Sequence, residues 1–330
     1  MAWVYDSILF ISTFLFALCG TGVAYYSLKR AHLLDTPEER SNHTVPTPHG
    51  GGLGVMVTVV CFQVVIGSPL LLILGSLLLM GISFWDDVKN LPPSWRLLVQ
   101  FVIVALVLVN DYEGKVFPDF IPHWLELPIL AVAWVWFINL FNFMDGSDGL
   151  AASETISICT GLFILSWSVS LPHDAFLNCV ILTGSLLGFA VWNWHPAKIF
   201  LGDAGSVPLG FLLGFMLISL AGHGYWQAAL ILPAYFITDA TLVLARRLLQ
   251  GKKIWQAHSE HFYQRAIRKG MAHDEVAKRV IALNIILIVL TVISTVNPMM
   301  AYLSLAAAYM ATLALLHRFT RATAEVLQPA

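Results

Sequence analysis

The stretch that decides the class of fold is ELPILAVAWVWFINLFNFMDGSDGLA, residues 126–151. Its first part carries one charged side chain, Glu126, and is long enough to cross about 30 Å of hydrocarbon as a helix. Two Asp-Gly steps, at Asp145 and Asp148, then interrupt the apolar run with residues typical of tight turns. A second apolar run begins at Leu150, so the stretch predicts two membrane-spanning helices joined by a short acidic loop.

The composition extends this interpretation to the whole chain. Of 330 residues, 58% are hydrophobic and only 12% are charged, and the mean hydropathy is +0.76. Soluble domains have about 25% charged residues, so this much apolar surface requires lipid as the solvent. We therefore expect an all-α polytopic membrane protein with one transmembrane domain over residues 1–330. The net charge of −2 says little about partners, and the sequence has no basic patch large enough for nucleic acid, so we expect no nucleic-acid partner.

About eleven apolar segments (ten to eleven) are long enough, or nearly so, to span the bilayer. Short breaks such as Gly67-Ser68-Pro69 and Asn297-Pro298 separate neighbouring segments. The predicted spans are 7–28, 51–67, 69–85, 95–110, 126–143, 150–170, 175–193, 205–221, 226–246, 278–296 and 298–317.

Charge placement predicts the orientation. The segment before Ser7 has no Lys or Arg, which argues against a cleavable signal and favours a periplasmic N-terminus. With that orientation, 17 of the 18 Lys and Arg residues fall in inside connections and only Lys115 falls outside. The predicted location is the bacterial inner membrane, with a site that faces the cytoplasm. The cytoplasmic loops are near 29–50, 86–95, 143–149, 194–205 and 247–277.

The four cysteines predict neither a disulfide framework nor a zinc site. Cys19, Cys61, Cys159 and Cys179 all fall inside apolar runs and form no CxxC pair. An isolated cysteine in such a run behaves as a small hydrophobic residue, so we expect these four to pack in or against the bundle.

The loop at 143–149 is the strongest candidate site. Asn142, Asp145 and Asp148 surround its glycines, and it leads into a helix N-terminus, where backbone N–H groups favour anions. A tight reversal between spans explains the glycines but not the flanking polar residues. Carboxylates and amides together suit a nucleotide diphosphate with its metal.

Further carboxylates end or begin other spans on the same predicted face. Asp86 and Asp87 close the third span, where adjacent carboxylates must be hydrated, paired or bound to a cation. Asp203, within Gly202-Asp203-Ala204, precedes the eighth span and is a candidate metal ligand. Phe200 is a candidate surface for stacking on a base, although an aromatic anchor at the membrane interface is equally compatible.

Two basic loops complete the candidate set. His258 and His261 are expected on one helix face, where they could bind a metal or, when protonated, donate to phosphate. Arg265 follows them as a candidate phosphate ligand, and an interfacial amphipathic helix is the simpler alternative. His43 lies in the first inside loop, whose prolines and glycines suit either phosphate contact or helix packing.

Asp239, within the ninth predicted span, is costly to bury and is expected either to line a cavity mouth or to orient Arg246.

Together these groups favour phosphoryl transfer at the membrane surface. Such chemistry needs positioning and charge neutralisation more than covalent help from the protein. Mg²⁺, with Mn²⁺ as a substitute, is expected on Asp203 with Asp86, Asp87 or Asp145 nearby.

The ordered set of an Asp-Asp pair, an NxxNxxDGxDGLA loop, a GDAGS loop and a His loop resembles the polyprenyl-phosphate N-acetylhexosamine-1-phosphate transferases. These include the phospho-MurNAc-pentapeptide translocase and the GlcNAc-1-phosphate transferases that start O-antigen glycans. The resemblance extends from Arg40 to Gly270 and implies ten or eleven spans. It implies that undecaprenyl phosphate attacks the β-phosphate of a UDP-N-acetylhexosamine and that UMP leaves.

The resemblance also implies roles for the acidic residues. Asp86 would serve the lipid phosphate, either as a contact or as its base, with Asp87 beside the metal. Asp203 would be the principal Mg²⁺ ligand, and both Asp87 and Asp203 are predicted metal ligands. Which of the two adjacent aspartates is base and which is ligand stays open.

For the donor, the resemblance implies that Asn142 and Asp145 line the diphosphate, that Asp148 approaches uracil and that Phe200 stacks on it. His258 and His261 would contact phosphate or sugar.

The His loop reads HSEH rather than the commoner HxHH or HHH. The HSEHFYQR and VPTPHGGG stretches are similar to the branch that initiates O-antigen with FucNAc, QuiNAc or GlcNAc. A homodimer is compatible with the sequence.

Two rivals differ in the placement of their acidic residues. A transporter would place ionisable groups along a path near the midplane, whereas here they cluster at one face. An intramembrane aspartyl protease would need a second Asp deep in a neighbouring span, and no clear partner is present.

Overall fold

The apolar segments of the sequence form long helices in the computed structural model, which describes residues 2–35, 45–89, 91–117, 121–169, 173–254, 256 and 258–321. In chain order the helices are α1 (Ala2–Arg30), α2 (Gly52–Ile66), α3 (Leu70–Lys89), α4 (Pro93–Asn110), α5 (His123–Phe143), α6 (Leu150–Leu165), α7 (His173–Asn193), α8 (Asp203–Leu220), α9 (Trp226–Ile231), α10 (Ala234–Leu249), α11 (Phe262–Arg268), α12 (His273–Ser294) and α13 (Pro298–Arg321). Two short strands, β1 (Leu34–Asp35) and β2 (Thr47–Pro48), pair antiparallel.

Eight stretches in the described part of the chain are long and apolar enough to cross a membrane. Two shorter apolar helices, α2 and α6, coincide with the second and sixth predicted spans. The prediction of an all-α polytopic membrane protein is therefore confirmed. The number of crossings and the periplasmic N-terminus stay predictions.

The eighth and ninth spans are divided differently from the prediction. One apolar stretch runs from Asp203 to Ile231, and a π-helical turn at Ala221–Tyr225 interrupts it. Gly224 makes the break in that turn with a φ of 92°. A second break precedes α10 at Pro233, because proline has no N–H for the helical hydrogen bond.

The central helix is α8, which is apolar on every side and buried along nearly its whole length. A helix of this kind belongs in the middle of a bundle. It packs on α5, where the Trp134 indole N–H donates to the Phe211 carbonyl at 2.9 Å and the two rings stack 5.1 Å apart. This contact holds the middle parts of α5 and α8 side by side.

The start of α2 meets the start of α8 through backbone alone. A Cβ atom on Gly205 would lie 2.7 Å from the Gly52 Cα, so a side chain does not fit there. Beside this contact, Phe200 N–H donates to the Pro48 carbonyl at 2.9 Å, and Gly51 N–H donates to the Phe200 carbonyl at 2.8 Å. The segment before α2 is thereby paired with the segment before α8.

Candidate functional site

The acidic residues at the ends of α3 and α8 converge on one arginine. Arg96, in the first turn of α4, donates to Asp86 and also to the Asp203 carboxylate at 3.0 Å. Leu91 N–H donates to the other Asp86 oxygen at 2.6 Å. The two carboxylates are thus held on either side of a guanidinium. From the sequence alone, Arg96 is one of the 17 Lys and Arg residues expected in inside connections and is not a predicted site residue.

A histidine beside α2 provides a second cation. The His49 Nε2 atom lies 3.8 Å from the Asp87 carboxylate. Burial favours the neutral imidazole, but the carboxylates of Asp87, Asp203 and Asp145 outweigh it and raise the pKa of His49 to about 9. His49 is therefore cationic at neutral pH. His43, the histidine chosen from the same loop by sequence, lies outside the described residues.

Asp145 lies deep in the same group. Burial raises its pKa to about 8; His49 and the Gly202 N–H oppose that shift, and Asp203 adds to it. The neighbouring Asn142 accepts from the Ser206 hydroxyl at 2.5 Å, so the 143–149 loop is bonded to the start of α8. Asp145 is consequently a half-buried residue whose carboxyl can hold a proton near neutral pH.

These contacts unite four separate parts of the chain. The ends of α3 and α5 and the starts of α4 and α8 bring Asp86, Asp87, Asp145 and Asp203 together. The juxtaposition that the sequence analysis required is therefore present.

Asp148 faces a different set of partners. One of its oxygens accepts from His195 Nδ1 at 2.7 Å and from Ala197 N–H at 3.1 Å. His273 Nδ1 lies 3.6 Å from the other oxygen, and the rings of the two histidines stack 5.3 Å apart. His195 and His273 were not among the predicted site residues. Nothing local in the sequence relates His273, the first residue of α12, to a loop that precedes α6.

Two groups of side chains could hold a metal ion, and they differ in chemistry. Asp148, His195 and His273 offer one ligand atom each within 4.8 Å of one another. Their nitrogens suit Zn²⁺ better than Mg²⁺, and hydrogen bonds already satisfy them. Asp87 and Asp203 offer the hard oxygens that Mg²⁺ prefers. Both already face protein cations, namely His49 and Arg96.

The His loop differs from its prediction. Residues 258–261 are not helical, because α11 begins only at Phe262, so the expected common helix face for His258 and His261 is wrong. Their rings nevertheless stack 4.9 Å apart. Burial, with the electrostatic effects of His261, Arg247 and Lys252, lowers the pKa of His258 to about 4 against the opposing effect of Glu260. His258 is thus neutral at pH 7 and is not the cationic phosphate donor considered from sequence.

Among the described residues, Asp239 contacts the His loop and not Arg246. The Asp239 carboxylate is fully buried and accepts from Phe262 N–H at 3.1 Å and from Tyr263 N–H at 3.4 Å. It also bonds His261 Nδ1 at 3.2 Å. Asp239 therefore caps the N-terminus of α11, and the expectation that it orients Arg246 is not met by these contacts.

Helix α11 is in turn tied to the acidic loop. The Tyr263 hydroxyl donates to the Phe143 carbonyl at 3.3 Å, at the end of α5. Arg265, the predicted phosphate ligand, lies half-buried on the same short helix. The Phe200 ring is also half-buried, beside the backbone that pairs with residues 48–51. All described candidate residues therefore lie at one end of the bundle.

A large apolar cavity lies between α5, α8, α9 and α10. Its volume is about 770 Å³. The lining includes Trp134, Phe137, Gly214, Leu217, Pro233 and Ile237. The lining also includes Val116, Phe117, Ala221 and Trp226, so the cavity extends toward the end of the bundle away from the acidic residues.

Comparison with known proteins identifies the family of this chain. Residues 69–221 match the family described as glycosyl transferase family 4. The chain is 31% identical over 271 residues to the phospho-N-acetylmuramoyl-pentapeptide-transferase of Enterococcus hirae, covering 73% of this chain and 83% of that one. It is 24% identical over 279 residues to the probable undecaprenyl-phosphate N-acetylglucosaminyl 1-phosphate transferase of Bacillus subtilis, covering 80% and 78%.

A third relative is the decaprenyl-phosphate N-acetylglucosaminephosphotransferase of Mycobacterium leprae, which is 26% identical over 303 residues, covering 78% of this chain and 75% of the relative. The matches extend beyond the acidic loops to most of the helical bundle. The chain therefore belongs to glycosyl transferase family 4, among the polyprenyl-phosphate N-acetylhexosamine-1-phosphate transferases.

Proposed function

We propose that the protein transfers an N-acetylhexosamine-1-phosphate from a UDP-sugar to undecaprenyl phosphate or a related polyprenyl phosphate. An oxygen of the lipid phosphate forms a bond to the β-phosphorus of the donor. The bond from that phosphorus to the bridging oxygen breaks, and UMP leaves with that oxygen. The products are UMP and a polyprenyl-diphosphate-linked sugar. The observation that carries the proposal is the meeting of Asp86, Asp87, Asp145 and Asp203 with two cations at one end of an apolar bundle.

The two cations suit the phosphates of donor and acceptor. Arg96 offers a planar fork that matches phosphate oxygens, and it can exchange a carboxylate partner for a phosphate. His49 is charged at neutral pH and neutralises negative charge at the same place. Asp86, which Arg96 and Leu91 N–H hold in position, is our candidate for the group that contacts the lipid phosphate.

We assign Mg²⁺, or Mn²⁺ as its substitute, to Asp203 and Asp87. The fit rests on their oxygen donors and on the concentration of negative charge that Arg96 and His49 now balance. When bound, the ion would neutralise the diphosphate and improve UMP as a leaving group. The protein groups Asn142 and Asp145 would border the diphosphate, with Arg265 and the His258–His261 pair on the side of the anchored His loop.

The apolar cavity is our candidate for the site that holds the first part of the polyprenyl chain. Its walls are aromatic and aliphatic, and Trp134 and Phe137 narrow it between α5 and α8. Burial of isoprenoid carbon against these walls gives the acceptor its hydrophobic binding energy. The phosphate would then lie toward the acidic end of the bundle.

The sugar and the pathway are assigned from the VPTPHGGG and HSEHFYQR stretches, which are similar to the branch that initiates O-antigen. This assignment makes the reaction the initiating step of O-antigen synthesis, within lipopolysaccharide biosynthesis, with GlcNAc, FucNAc or QuiNAc as the sugar. The positive-inside pattern supports a location in the bacterial inner membrane with the site toward the cytoplasm. We keep a homodimer as the assembly to test.

Both rivals are disfavoured by family membership. The relatives described above are named as transferases. An aspartyl protease would pair two catalytic aspartates. The Asp203 carboxylate instead forms an ion pair with Arg96. A transporter would move a labelled UDP-sugar across the bilayer without cleaving it, and this difference can be measured directly.

A substrate panel tests the proposal. Purified full-length protein in nanodiscs would receive undecaprenyl phosphate, Mg²⁺ and each of several UDP-sugars in turn. We expect UMP release and a lipid-linked product in equal amounts, dependent on both lipid and donor, and lost on chelation of the metal. Donor cleavage without lipid-linked product, or no cleavage with any sugar of the panel, would overturn the proposal.

A further inference from the structure

A glutamate is buried within the bundle one turn beyond the acidic loop. Glu154 lies on α6, four residues after Leu150, and its side chain is fully buried. Asn284 of α12 is buried beside it and donates from Nδ2 to Glu154 Oε2 at 2.7 Å. The pair therefore connects the helix that follows the 143–149 loop with the helix that begins at His273.

The hydrogen bonds of this pair are incomplete if Glu154 is ionised. Glu154 Oε1 and Asn284 Oδ1 are both buried, and neither has a hydrogen-bond partner in the part of the chain that the structure describes. Glu154 Oε1 shares its carbon with Oε2, and Asn284 Oδ1 shares its carbon with Nδ2, so the two unpaired oxygens belong to the two groups that the 2.7 Å contact joins. Carboxylate and amide oxygens only accept, so they cannot satisfy one another.

One proton removes both defects. A proton on Glu154 Oε1 turns that oxygen into a donor, for which Asn284 Oδ1, on the group already bonded to Glu154, is an unpaired acceptor. The opposite orientation of the Asn284 amide leads to the same result, because Oδ1 would then face Glu154 Oε2 at 2.7 Å and would also require a proton between them. Both orientations of the amide thus require a neutral glutamic acid.

The surroundings also disfavour a charge on Glu154. Over the described residues, no Lys, Arg or His forms an ion pair with it. From α10, the hydroxyl of Tyr235 interacts with both Glu154 and the negative Asp239. An uncompensated charge among apolar helices is strongly unfavourable.

A second buried glutamate provides the contrast. Glu126 is also fully buried, but it accepts from Val116 N–H at 2.6 Å and from the Tyr112 hydroxyl at 3.5 Å. His123 Nδ1 lies 3.8 Å from its other oxygen. Glu126 Oε2 also has no hydrogen-bond partner among the described residues, but Glu126 has two donors on Oε1 and a histidine beside Oε2, whereas Glu154 has one donor and no basic residue paired with it.

We propose that Glu154 is held as the neutral acid and forms a cyclic pair of hydrogen bonds with Asn284 that locks α6 to α12. Asp148 immediately precedes α6, and its partner His273 is the first residue of α12. The acid–amide lock therefore positions the Asp148–His273 contact from inside the bundle. The protonation state is independent of the proposed function, whereas its effect on turnover rests on that function.

Infrared spectroscopy of the full-length protein in nanodiscs tests the chemical state. At pH 7 we expect a protonated-carboxyl carbonyl band that Glu154→Gln removes and that Asn284→Ala shifts. Subtracting the Glu154→Gln spectrum from the wild-type spectrum separates this band from any contribution of Asp145. Glu126→Gln should leave the band in place. A difference spectrum with a carboxylate band and no carboxyl band would refute the proposal.

Turnover of the same variants tests the positioning role. Glu154→Gln preserves a planar group with one donor and one acceptor, so UMP release should stay within about threefold of wild type, whereas Glu154→Ala should lose about tenfold or more. Gln63→Ala is the matched control, because Gln63 donates to Asn178 at 2.9 Å in a buried pair between α2 and α7. Equal losses in Gln63→Ala and Glu154→Ala would refute a specific positioning role. If no variant or wild-type protein releases UMP while the carboxyl band is present, the proposed function fails and the neutral state of Glu154 stands.

Discussion

Replacement of Asp239 by asparagine tests how the His loop is held at the site. The Asp239 carboxylate accepts from the backbone N–H groups of Phe262 and Tyr263, at 3.1 and 3.4 Å, and bonds His261 Nδ1 at 3.2 Å. Asparagine has the same shape but one acceptor oxygen in place of two. Its NH₂ group must therefore face groups that donate, and the negative charge at the N-terminus of α11 is lost.

The size of the effect follows from these contacts. Hydrogen bonds to a charged group contribute about 1.5–3 kcal/mol each, and an anion at a helix N-terminus adds about 0.3–1 kcal/mol. Losing one such bond and the charge costs about 3 kcal/mol, which is about a 150-fold rise in the equilibrium constant for undocking α11. Undocking also breaks the bond from Tyr263 to the Phe143 carbonyl, so turnover should fall with it.

Hydrogen exchange measured by mass spectrometry reports this opening directly. We expect much faster exchange across residues 262–268 in Asp239→Asn, little change in the central α8, and a large drop in UMP release. Glu275→Gln is the control, because it removes an exposed ion pair with Arg279 on α12. Wild-type exchange in α11 together with wild-type turnover would refute the capping role of Asp239.

Three further outcomes can be checked on the same preparations. Asp203→Asn should abolish UMP release while the protein still inserts and folds, and retained activity would remove Asp203 from the metal role. Arg96→Ala leaves the Asp86 and Asp203 carboxylates without their shared guanidinium, so turnover should fall at least about 100-fold, and Arg96→Lys should recover only part of it because a point charge replaces a fork; full activity in Arg96→Ala would contradict this. The pKa of Asp145 is raised from 3.8 to about 8, so the folded state binds a proton more tightly than the unfolded state. The contribution of Asp145 to the free energy of unfolding is therefore largest below about pH 4 and is lost as the pH rises to about 8. In EDTA, the melting temperature of wild type relative to Asp145→Asn should fall across that range, and a constant difference would show that Asp145 does not hold the proton.

The sequence predicts the bundle well because lipid imposes simple rules. Apolar runs must be helical in hydrocarbon, and their breaks contain glycine, proline and acidic residues that can be read directly. The interruption at Ala221–Tyr225 was placed close to its true position for this reason. The break at Pro233 was missed, since Pro233 lies inside an otherwise apolar run.

The acidic half of the candidate site was also predictable. Asp86, Asp87, Asp145 and Asp203 stand out because charged residues are rare in this chain and these lie at the ends of apolar runs. Their convergence needed only the assumption that these ends share one face.

The basic half was not predictable in the same way. Arg96, His49, His195 and His273 gain their significance from partners far away in the chain, and no local spacing reveals those partners. The helix-face interpretation of His258 failed because local spacing says nothing about where α11 begins. That start is fixed by Asp239, a residue from another helix.

The contact between Gly52 and Gly205 limits how the enzyme can move during a catalytic cycle. The starts of α2 and α8 touch there through backbone atoms, so no side-chain rotamer can adjust to a relative movement. The two helix starts therefore move together or separate. The Asp203 carboxylate and the His49 imidazole must then travel as a single rigid unit. Any gate that admits donor and releases product has to be sought in parts of the site outside this glycine contact.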